Sequence, residues 1–401
     1  MQPGNSISTK MKKAVLTGAG QFGRGVIGML LAKSGFHVVF ADLNMSVVDD
    51  INNRGCYDVT RICKGEAVTE RVENISAVNA ATPELVDYYE SADIICTCAG
   101  LSALPQIAPA LAESIKRRCL KDERGKINVL ACENANGGST KLKNLVLQLL
   151  SREEAGYLEN NIGFPDCAID AIIPPAANSK PADVTAEEYY EWDALKSGFR
   201  GELPEINGLN IVDDISKYLE RKLFTLNGPN AVTGALGYIK GYDTVQEALK
   251  DDEIYKTVYG MMTETGKMLS MRHGFTEDEM KDYRSFIMSR FQNPRIIDSC
   301  TRVIREPLRK LAPDDRIVAP MNYAAEYGIN TPAYYKGIAA AMNYVNQNDP
   351  QSIKMNEMIS TLGFEKALES ITGIKAGSTV CAEIEKEFNQ IRQLKKGEQL
   401  K

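Results

Sequence analysis

The sequence predicts an α/β protein in which a mostly parallel, doubly wound sheet is followed by a mainly α-helical C-terminal domain. Short apolar runs alternate with amphipathic helical stretches through the N-terminal half, as in βαβ units. A glycine-rich turn joins the first apolar run to the first helical stretch. From about Ile211 onward, long helical patterns dominate. Because 401 residues exceed what one core usually serves, we expect two domains, 1–211 and 212–401.

Composition narrows the class of partner and the compartment. The chain carries 47 basic and 53 acidic residues, a net charge of −6, which argues against nucleic acid or an anionic membrane as a partner. The polar segment 1–10 lacks the apolar core of a signal peptide, and no apolar run is long enough to span a bilayer. The nine cysteines form no CxxC pair and are typical of reduced thiols. We therefore expect a cytoplasmic protein.

The N-terminus carries a G-x-G-x-x-G pattern between a strand and a helix. The apolar run 12–17 leads into Gly18, Gly20 and Gly23, and a second strand then ends at Asp42. The first glycine permits the tight turn, the second lets a pyrophosphate approach the backbone, and the third lets the helix pack on the strand. A carboxylate at the end of the second strand accepts hydrogen bonds from ribose hydroxyls and repels a 2′-phosphate. The pattern predicts a Rossmann domain that binds NAD rather than NADP.

Further strands place polar turns at the same edge of the predicted sheet. Apolar runs at 92–98 and 127–132 are followed by Ala99-Gly100 and Glu133-Asn134, and ligands bind beyond the carboxyl ends of parallel strands. A later run, 167–175, predicts another strand with Asp170 inside it. The predicted cofactor-binding residues are Gly18, Gly20, Gln21, Phe22, Gly23, Asp42, Ala99 and Gly100.

The C-terminal half predicts a helical domain of the kind that supplies the substrate side of a cleft. With only two histidines and no spacing of cysteines and carboxylates typical of zinc, we expect no metal and a base other than histidine. The predicted helices are Asp213–Leu226, Glu247–Met271, Glu277–Ser289, Cys300–Leu311, Ala333–Gln347 and Asn356–Leu362.

The segment 221–230 concentrates groups suited to acid–base chemistry. A rotation of about 100° per residue puts Asn227 and Asn230 on one helix face, with Lys222 about 140° from Asn227. Gly228-Pro229 should break that helix. A desolvated lysine can act as a base and asparagine amides can donate to an oxyanion. Spacing alone leaves open a solvated surface lysine and asparagines that cap a helix end.

The sequence at this point resembles the polyol-specific long-chain dehydrogenases, the mannitol dehydrogenase family, and within it the branch that acts on mannitol 1-phosphate. The resemblance extends over nearly the whole chain and its length fits that branch. It is carried by Gly18–Gly25 (GAGQFGRG), Ala131–Asn134 (ACEN), Arg221–Asn227 (RKLFTLN), Arg305–Lys310 (REPLRK), Asp315-Arg316, Glu326–Gly328 (EYG) and Gly337–Met342 (GIAAAM).

The resemblance implies a metal-independent mechanism. Lys222 is then the general base, and Asn134 and Asn227 hold the developing oxyanion. Asp170 stands at the aspartate of the family's V-D-R motif and is expected to contact the substrate or Lys222. Two positions depart from the family. The first is Asn230, which replaces a histidine that contacts the substrate in the family.

The second departure is Ala171, which stands where the family has the arginine of V-D-R. An asparagine at 230 can hydrogen-bond a hydroxyl but cannot carry positive charge. The two replacements together indicate a changed substrate, and they leave the lysine and the oxyanion groups intact.

Three hypotheses follow for function. The first is NAD-dependent interconversion of a polyol phosphate and a ketose phosphate, of the mannitol 1-phosphate and fructose 6-phosphate type. The cations proposed for the phosphate are Arg302, Arg305, Arg309 and Lys310, in one helical stretch, with a solvated charged face as the alternative interpretation.

The second hypothesis is the same chemistry on a non-phosphorylated polyol, a hexuronate or another modified sugar. The third is a protein that binds NAD and a ligand but acts as a sensor. The catalytic residues Lys222, Asn134 and Asn227, and the substrate-binding residues Asp170, Asn230, Arg305 and Arg309, make an enzyme the first expectation. We expect a small-molecule substrate as the partner, and a chain that is a monomer or a homodimer.

Overall fold

The computed structural model describes residues 11–63, 66–133, 137–171, 173, 180–294 and 297–398, with the side chains of 63 and 394–398 excepted. The chain forms two compact units, one ending at Ile215 and the other beginning at Ser216. The first unit is α/β and the second is helical, so the predicted fold class is confirmed.

A six-stranded parallel sheet organises the first unit. Its strand order is β5-β2-β1-β6-β7-β8, with β1 at the centre between β2 and β6. The strands in chain order are β1 (Lys13–Thr17), β2 (His37–Asp42), β3 (Cys56–Cys63), β4 (Glu66–Glu73), β5 (Ile75–Asn79), β6 (Ile94–Thr97), β7 (Ile127–Ala131), β8 (Ile162–Gly163), β9 (Cys167–Ala171), β10 (Val184–Glu187), β11 (Tyr190–Leu195) and β12 (Leu209–Val212).

Helices cover both faces of this sheet, which is why its central strands are apolar throughout. Ala14, Val15 and Leu16 of β1 are fully buried, with alternate residues belonging to cores on opposite faces. The helical elements are a π-turn at Gly23–Gly28, α1 (Met29–Lys33), α2 (Met45–Arg54), α3 (Glu84–Glu90), a 3-10 turn at Leu101–Ala103, α4 (Leu104–Leu120), α5 (Gly138–Leu147), α6 (Arg152–Asn161) and a 3-10 turn at Lys196–Gly198.

Two three-stranded sheets complete the first unit. One pairs the hairpin β3–β4 with β10, and the other has the order β12-β11-β9. The hairpin was not predicted from the sequence. Its strand β4 is almost entirely exposed and half of its residues are charged, so it lacks the alternation that marks a strand. In the run 167–175, the strand covers Cys167–Ala171, whereas 172 and 174–179 lie outside the described residues.

The second unit packs its helices around α8, α10 and α15, whose apolar residues form one extended core. Its helices are α7 (Ser216–Lys222), a π-turn at Leu223–Asn227, α8 (Gly228–Ile239), α9 (Val245–Ala248), α10 (Asp252–His273), α11 (Glu277–Phe291), α12 (Cys300–Ile304), α13 (Pro307–Lys310), α14 (Ala319–Glu326), α15 (Pro332–Met342), α16 (Pro350–Leu362), α17 (Phe364–Thr372) and α18 (Thr379–Glu398). Across the described ranges, none of the helices combines the length and apolar character that a bilayer crossing requires.

Two of the predicted helices are each divided in the structure. The predicted Glu247–Met271 is split because Asp251 caps α10, with its carboxylate accepting the N–H groups of Glu253 and Ile254. The predicted Cys300–Leu311 is split because Glu306 has φ 63° and is followed by Pro307. A side-chain cap and a left-handed residue therefore override the helical periodicity at these points.

Candidate active site

The glycine turn after β1 separates two structural glycines from one that faces outward. Gly18 has φ 99°, and a Cβ there would lie 2.5 Å from the carbonyl carbon of Cys98. A Cβ on Gly23 would overlap the Gly18 carbonyl oxygen. A Cβ on Gly20 would meet no atom within 4 Å. The first and third glycines are therefore needed for packing, whereas the second leaves the backbone open to an incoming group.

Asp42 closes this turn from the end of the neighbouring strand. One oxygen of its carboxylate accepts the Ala19 N–H at 2.6 Å, and the other accepts the Asn44 N–H at 2.8 Å. The parallel pairing of β1 with β2 brings the two strand ends together. The carboxylate therefore lies directly beside the glycine turn, as the strand–turn–helix–strand pattern predicts.

Arg24 contacts the backbone of the glycine turn. No role was predicted for it from the sequence. It is 4 % exposed, and its guanidinium donates to the Ala19 carbonyl and, at 2.8 Å, to the Ala182 carbonyl. Burial lowers the pKa of this guanidinium from its ordinary value. The available sequence signal was a single arginine in an otherwise uncharged run directly after the G-x-G-x-x-G pattern, since a buried arginine needs partners.

The Ala99-Gly100 turn is held by a single carboxylate. Glu133, 5 % exposed, accepts the Ala99 N–H at 3.1 Å, the Gly100 N–H at 2.8 Å and the Thr97 hydroxyl at 2.8 Å. Within the ACEN segment, Glu133 is therefore the residue that organises the carboxyl ends of β6 and β7. Asn134, the predicted oxyanion donor, lies outside the described residues.

Asp170 lies within β9, 2 % exposed, in the register position opposite Glu191 of β11. The sheet that contains it is the small β12-β11-β9 sheet and not the six-stranded one. Ala171 ends the same strand. In the first unit, the structure thus groups the glycine turn, Asp42 and Ala99-Gly100 around the ends of β1, β2 and β6, with Asp170 on a separate strand.

The second unit carries Lys222, Asn227 and Asn230 on one continuous helical segment. Lys222 is the last residue of α7, the π-turn Leu223–Asn227 follows, and α8 begins at Gly228. The Gly228 N–H donates to the Leu223 carbonyl, five residues back. Where backbone hydrogen bonds join residues i and i+5, the residue that lies one helical turn after residue i is residue i+5. Lys222 and Asn227 are therefore adjacent on the helix surface.

A straight α-helix would separate Lys222 and Asn227 by about 140°, and that geometry does not apply here because the π-turn adds one residue to the helix turn between them. The predicted helix break at 228–229 was wrong. Gly228-Pro229 does not break the helix. Pro229 is the second residue of α8, which follows the π-turn directly, and Gly228 gives room for the Arg316 carbonyl, which any Cβ would overlap.

Within the π-turn and α8, two buried side-chain atoms have no hydrogen-bond partner among the described residues. They are the hydroxyl of Thr225, a fully buried residue of the π-turn, and the Oδ1 of Asn230, a half-buried residue of α8. A buried acceptor without a donor costs free energy. The side-chain oxygen of Asn230 is therefore available to a hydroxyl donor.

The basic segment 302–310 is not one helical stretch, contrary to the prediction. Arg305 caps α12 and is 67 % exposed, whereas Arg309 lies in α13 beyond the Glu306 turn. Arg309 pairs with the Glu306 carboxylate at 2.9 Å and with Asp315 at 3.6 Å. The described acidic neighbours therefore partly neutralise this cluster.

Lys310 is the buried member of the cluster. It is 5 % exposed, and its ammonium donates to the Val303 carbonyl at 2.7 Å and to the Arg305 carbonyl. Burial and the nearby Arg316 and Arg309 guanidinium groups lower its pKa to about 7. Lys310 therefore ties the end of α12 to α13.

Models of one protein family match both units of the chain. The Rossmann domain model of mannitol dehydrogenase matches residues 12–208, and the mannitol dehydrogenase C-terminal domain model matches residues 214–392. Among solved structures, D-sorbitol dehydrogenase in substrate-free form is similar, with TM-score 0.82, 17 % identity, and coverage of 96 % of this chain and 94 % of that one.

A second similar structure is Pseudomonas fluorescens mannitol 2-dehydrogenase in a ternary complex with NAD and D-mannitol, with TM-score 0.72 and 17 % identity. The match covers 96 % of this chain and 92 % of that one. At this identity the structural matches establish the fold, while the two domain models together span nearly the whole chain. The protein belongs to the mannitol dehydrogenase family.

Proposed function

We propose that this protein is an NAD-dependent, metal-independent polyol dehydrogenase. The observation that carries the proposal is the π-turn, because it makes Lys222 and Asn227 neighbours on one helix surface. In removal of a hydroxyl proton, a base takes the proton and a neighbouring amide N–H stabilises the charge that develops on the oxygen. The helical unit is then the substrate and catalytic domain, and the α/β unit is the cofactor domain.

NAD is the cofactor that fits the glycine turn. The open side of Gly20 admits a pyrophosphate to the backbone, and Gly18, Gln21, Phe22 and Gly23 shape the same turn. The Asp42 carboxylate keeps acceptor capacity for ribose hydroxyls and opposes a 2′-phosphate by charge. The similar mannitol 2-dehydrogenase is described in complex with NAD and D-mannitol.

The chemistry is a proton transfer coupled to a hydride transfer, and NAD when bound supplies the hydride acceptor. Lys222 in its neutral form accepts the proton of the reacting hydroxyl as the carbonyl forms. Asn227 donates its amide N–H to the oxygen as charge develops there, and Asn134 is proposed to do the same. Asp170 orients the substrate, and the Asn230 carbonyl accepts a hydrogen bond from a substrate hydroxyl.

Two substrate classes are proposed within this chemistry. A polyol phosphate of the mannitol 1-phosphate type is the first, with Arg305 and Arg309 as phosphate contacts, because both guanidinium groups reach solvent. A non-phosphorylated polyol or sugar acid is the second. It is favoured by the pairing of Arg309 with Glu306 and Asp315, and by the two similar structures, which are named for sorbitol and mannitol.

The test is NADH formation with polyols, polyol phosphates and sugar acids, each offered with NAD and with NADP. We expect NAD-dependent turnover of at least one polyol or polyol phosphate. Turnover of mannitol 1-phosphate that falls at least tenfold in Arg305→Ala identifies the first class. Turnover of mannitol or sorbitol alone, unaffected by Arg305→Ala, identifies the second. Binding of NADH without turnover of any substrate would contradict the proposal and favour the sensor.

A further inference from the structure

The helix turn that precedes Lys222 is clamped to the end of α10 by one carboxylate. Glu220 accepts hydrogen bonds from Arg272 Nε at 2.8 Å and from His273 Nε2 at 2.6 Å, both on the same oxygen. Its second oxygen lies 3.3 Å from Arg272 Nη2. The three side chains are only 10 % to 27 % exposed. Such a shielded, bidentate pairing fixes geometry more firmly than a surface ion pair does.

The contacts of Glu220 with Arg272 and His273, here called the clamp, continue to the other side of Lys222. The Arg272 guanidinium lies over the Tyr323 ring of α14, 3.9 Å from its centroid. The Tyr323 ring in turn packs against Phe224 of the π-turn, with 6.0 Å between centroids. Glu220, Arg272, Tyr323 and Phe224 thus form a closed chain of contacts that begins two residues before Lys222 and ends two residues after it.

The residue between Glu220 and Lys222 is anchored separately. The Arg221 guanidinium lies over the Tyr283 ring at 4.4 Å, the Tyr218 ring at 5.2 Å and the Phe275 ring at 5.5 Å. Each of these cation–π contacts helps to hold the guanidinium in place. Both residues that lead into the base are therefore fixed to α10, α11 and the loop between them.

The clamp contacts the helix face opposite Lys222. At about 100° per residue, Glu220 lies roughly 200° from Lys222 around α7. A π-turn carries one residue more than the α-helix it interrupts, so loss of the extra residue would rotate Lys222 relative to Asn227 by about 100°. Contacts at position 220, in the helix turn before the π-turn, and at position 224, within the π-turn, hold Lys222 from both sides and oppose that rotation.

We propose that Glu220 is a positioning residue, which acts through Arg272 and Tyr323 to keep the π-turn in register and Lys222 beside Asn227. The inference rests on the proposed role of Lys222 as the base. Glu220 touches neither substrate nor cofactor in this account. Its loss therefore lowers the rate of the chemical step and leaves the binding of NAD intact.

The experiment compares Glu220→Gln with Glu253→Gln in the full chain, using the best substrate of the panel. Glu253 makes ion pairs with Lys240 and Lys336 elsewhere in the helical unit, so it controls for the loss of a paired carboxylate. We expect Glu220→Gln to lower kcat by about 10- to 100-fold. The KM for NAD should stay within about twofold, and the primary deuterium isotope effect on kcat should rise because hydride transfer becomes slower. Glu253→Gln should leave all three unchanged.

A second pair of variants keeps the test valid if Glu220→Gln does not fold. Tyr323→Phe keeps the ring that contacts Arg272 and Phe224, whereas Tyr323→Leu removes it. We expect Tyr323→Leu to lower kcat at least tenfold and Tyr323→Phe to match the wild type. Equal kcat losses in the two Tyr323 variants, or in the two glutamate variants, would overturn the inference.

Lys222→Ala separates failure of the inference from failure of the proposed function. If Lys222→Ala keeps its turnover, the proposed function is wrong whatever Glu220 does. If Lys222→Ala is inactive while a folded Glu220→Gln keeps its kcat and isotope effect, the positioning role is wrong and the base assignment stands.

Discussion

The glycine turn of the α/β unit and the helical segment 216–239 of the second unit are built on different principles. The turn is made of backbone: its geometry depends on where a Cβ is excluded, as at Gly18 and Gly23. The helical segment is made of side chains: Lys222 and Asn227 become neighbours only because a π-turn intervenes. A site made of backbone is encoded locally, whereas a site made of side chains depends on helix register.

This difference decides what each region tolerates. In the turn, one added methyl group at a single position changes either folding or binding. In the helical segment, distant residues such as Glu220 and Tyr323 bear on the register.

The largest effect is expected in the glycine turn, where two neighbouring substitutions should fail for different reasons. Gly18→Ala places a Cβ 2.5 Å from a backbone carbon at φ 99°, and should lower the free energy of unfolding by roughly 2–4 kcal/mol. Gly20→Ala meets no protein atom within 4 Å, so it should keep the stability but weaken NAD binding by about tenfold. Denaturant melts and NAD titrations check both.

The contrast would fail if Gly20→Ala destabilised the fold as much as Gly18→Ala does. It would fail equally if Gly20→Ala bound NAD like the wild type, since no pyrophosphate would then approach Gly20.

Asp42→Asn is expected to change the choice of cofactor. Asparagine can still accept a hydrogen bond from the Ala19 N–H but no longer repels a 2′-phosphate. The ratio of kcat/KM for NAD to that for NADP should fall about tenfold, which corresponds to about 1.4 kcal/mol. An unchanged ratio in a folded variant would place the selection against NADP elsewhere.

A buried carboxyl group in the helical unit should make stability depend on pH. Burial raises the pKa of Glu264 to about 7, although its carboxylate accepts the Ala333 N–H at 3.0 Å. The folded state thus binds a proton more tightly than the unfolded state, and this group's stabilisation is lost as pH rises from about 4.5 to about 7. Glu264→Gln should be more stable than the wild type at pH 8 by about 1 kcal/mol, after a discount for partial exposure.

The difference between Glu264→Gln and the wild type should shrink toward pH 5. Glu253→Gln is the control with the opposite sign, because Lys240 and Lys336 lower the pKa of that carboxyl. If Glu264→Gln were less stable than the wild type at pH 8, the carboxylate would be stabilising and its pKa would not be raised.

The smallest effect is expected inside the π-turn. The Thr225 hydroxyl is buried and has no partner among the described residues, so Thr225→Val should change the free energy of unfolding by about 0.5 kcal/mol or less, or increase it. Thr265→Val is the matched control, because that hydroxyl lies 2.5 Å from the buried Tyr334 hydroxyl. It should lower the free energy of unfolding by about 1–2 kcal/mol. Equal losses in both variants would assign Thr225 a bound partner, such as a buried water.

The sequence predicts the glycine turn well because each of its requirements is local. Strand, turn, helix and Asp42 follow one another along the chain, and their order sets their position in a parallel sheet. The same reasoning places Ala99-Gly100 and Glu133 at one edge of the sheet, but it does not predict that the Glu133 carboxylate holds both amides. That contact joins two strand ends 33 residues apart, and no local pattern marks it.

The helical unit is predicted less fully because its register depends on packing. An extra residue at 223–227 leaves no signature in a periodicity of 3.6. The breaks at Asp251 and Glu306 depend on a cap and on a left-handed residue. The Glu220 clamp joins residues 52 and 53 positions apart. The roles of Lys222 and Asn227 were therefore inferred from family resemblance, and their adjacency from the structure.

Whether Lys222 is the base can be tested by the single-turnover rate of NADH formation by Lys222→Ala at saturating NAD and substrate. We expect a rate about 10²- to 10⁴-fold below the wild type, with an unchanged Kd for NAD, because Lys222 acts on the substrate proton and not on the cofactor. A folded Lys222→Ala protein that reduces NAD at the wild-type rate would contradict the account.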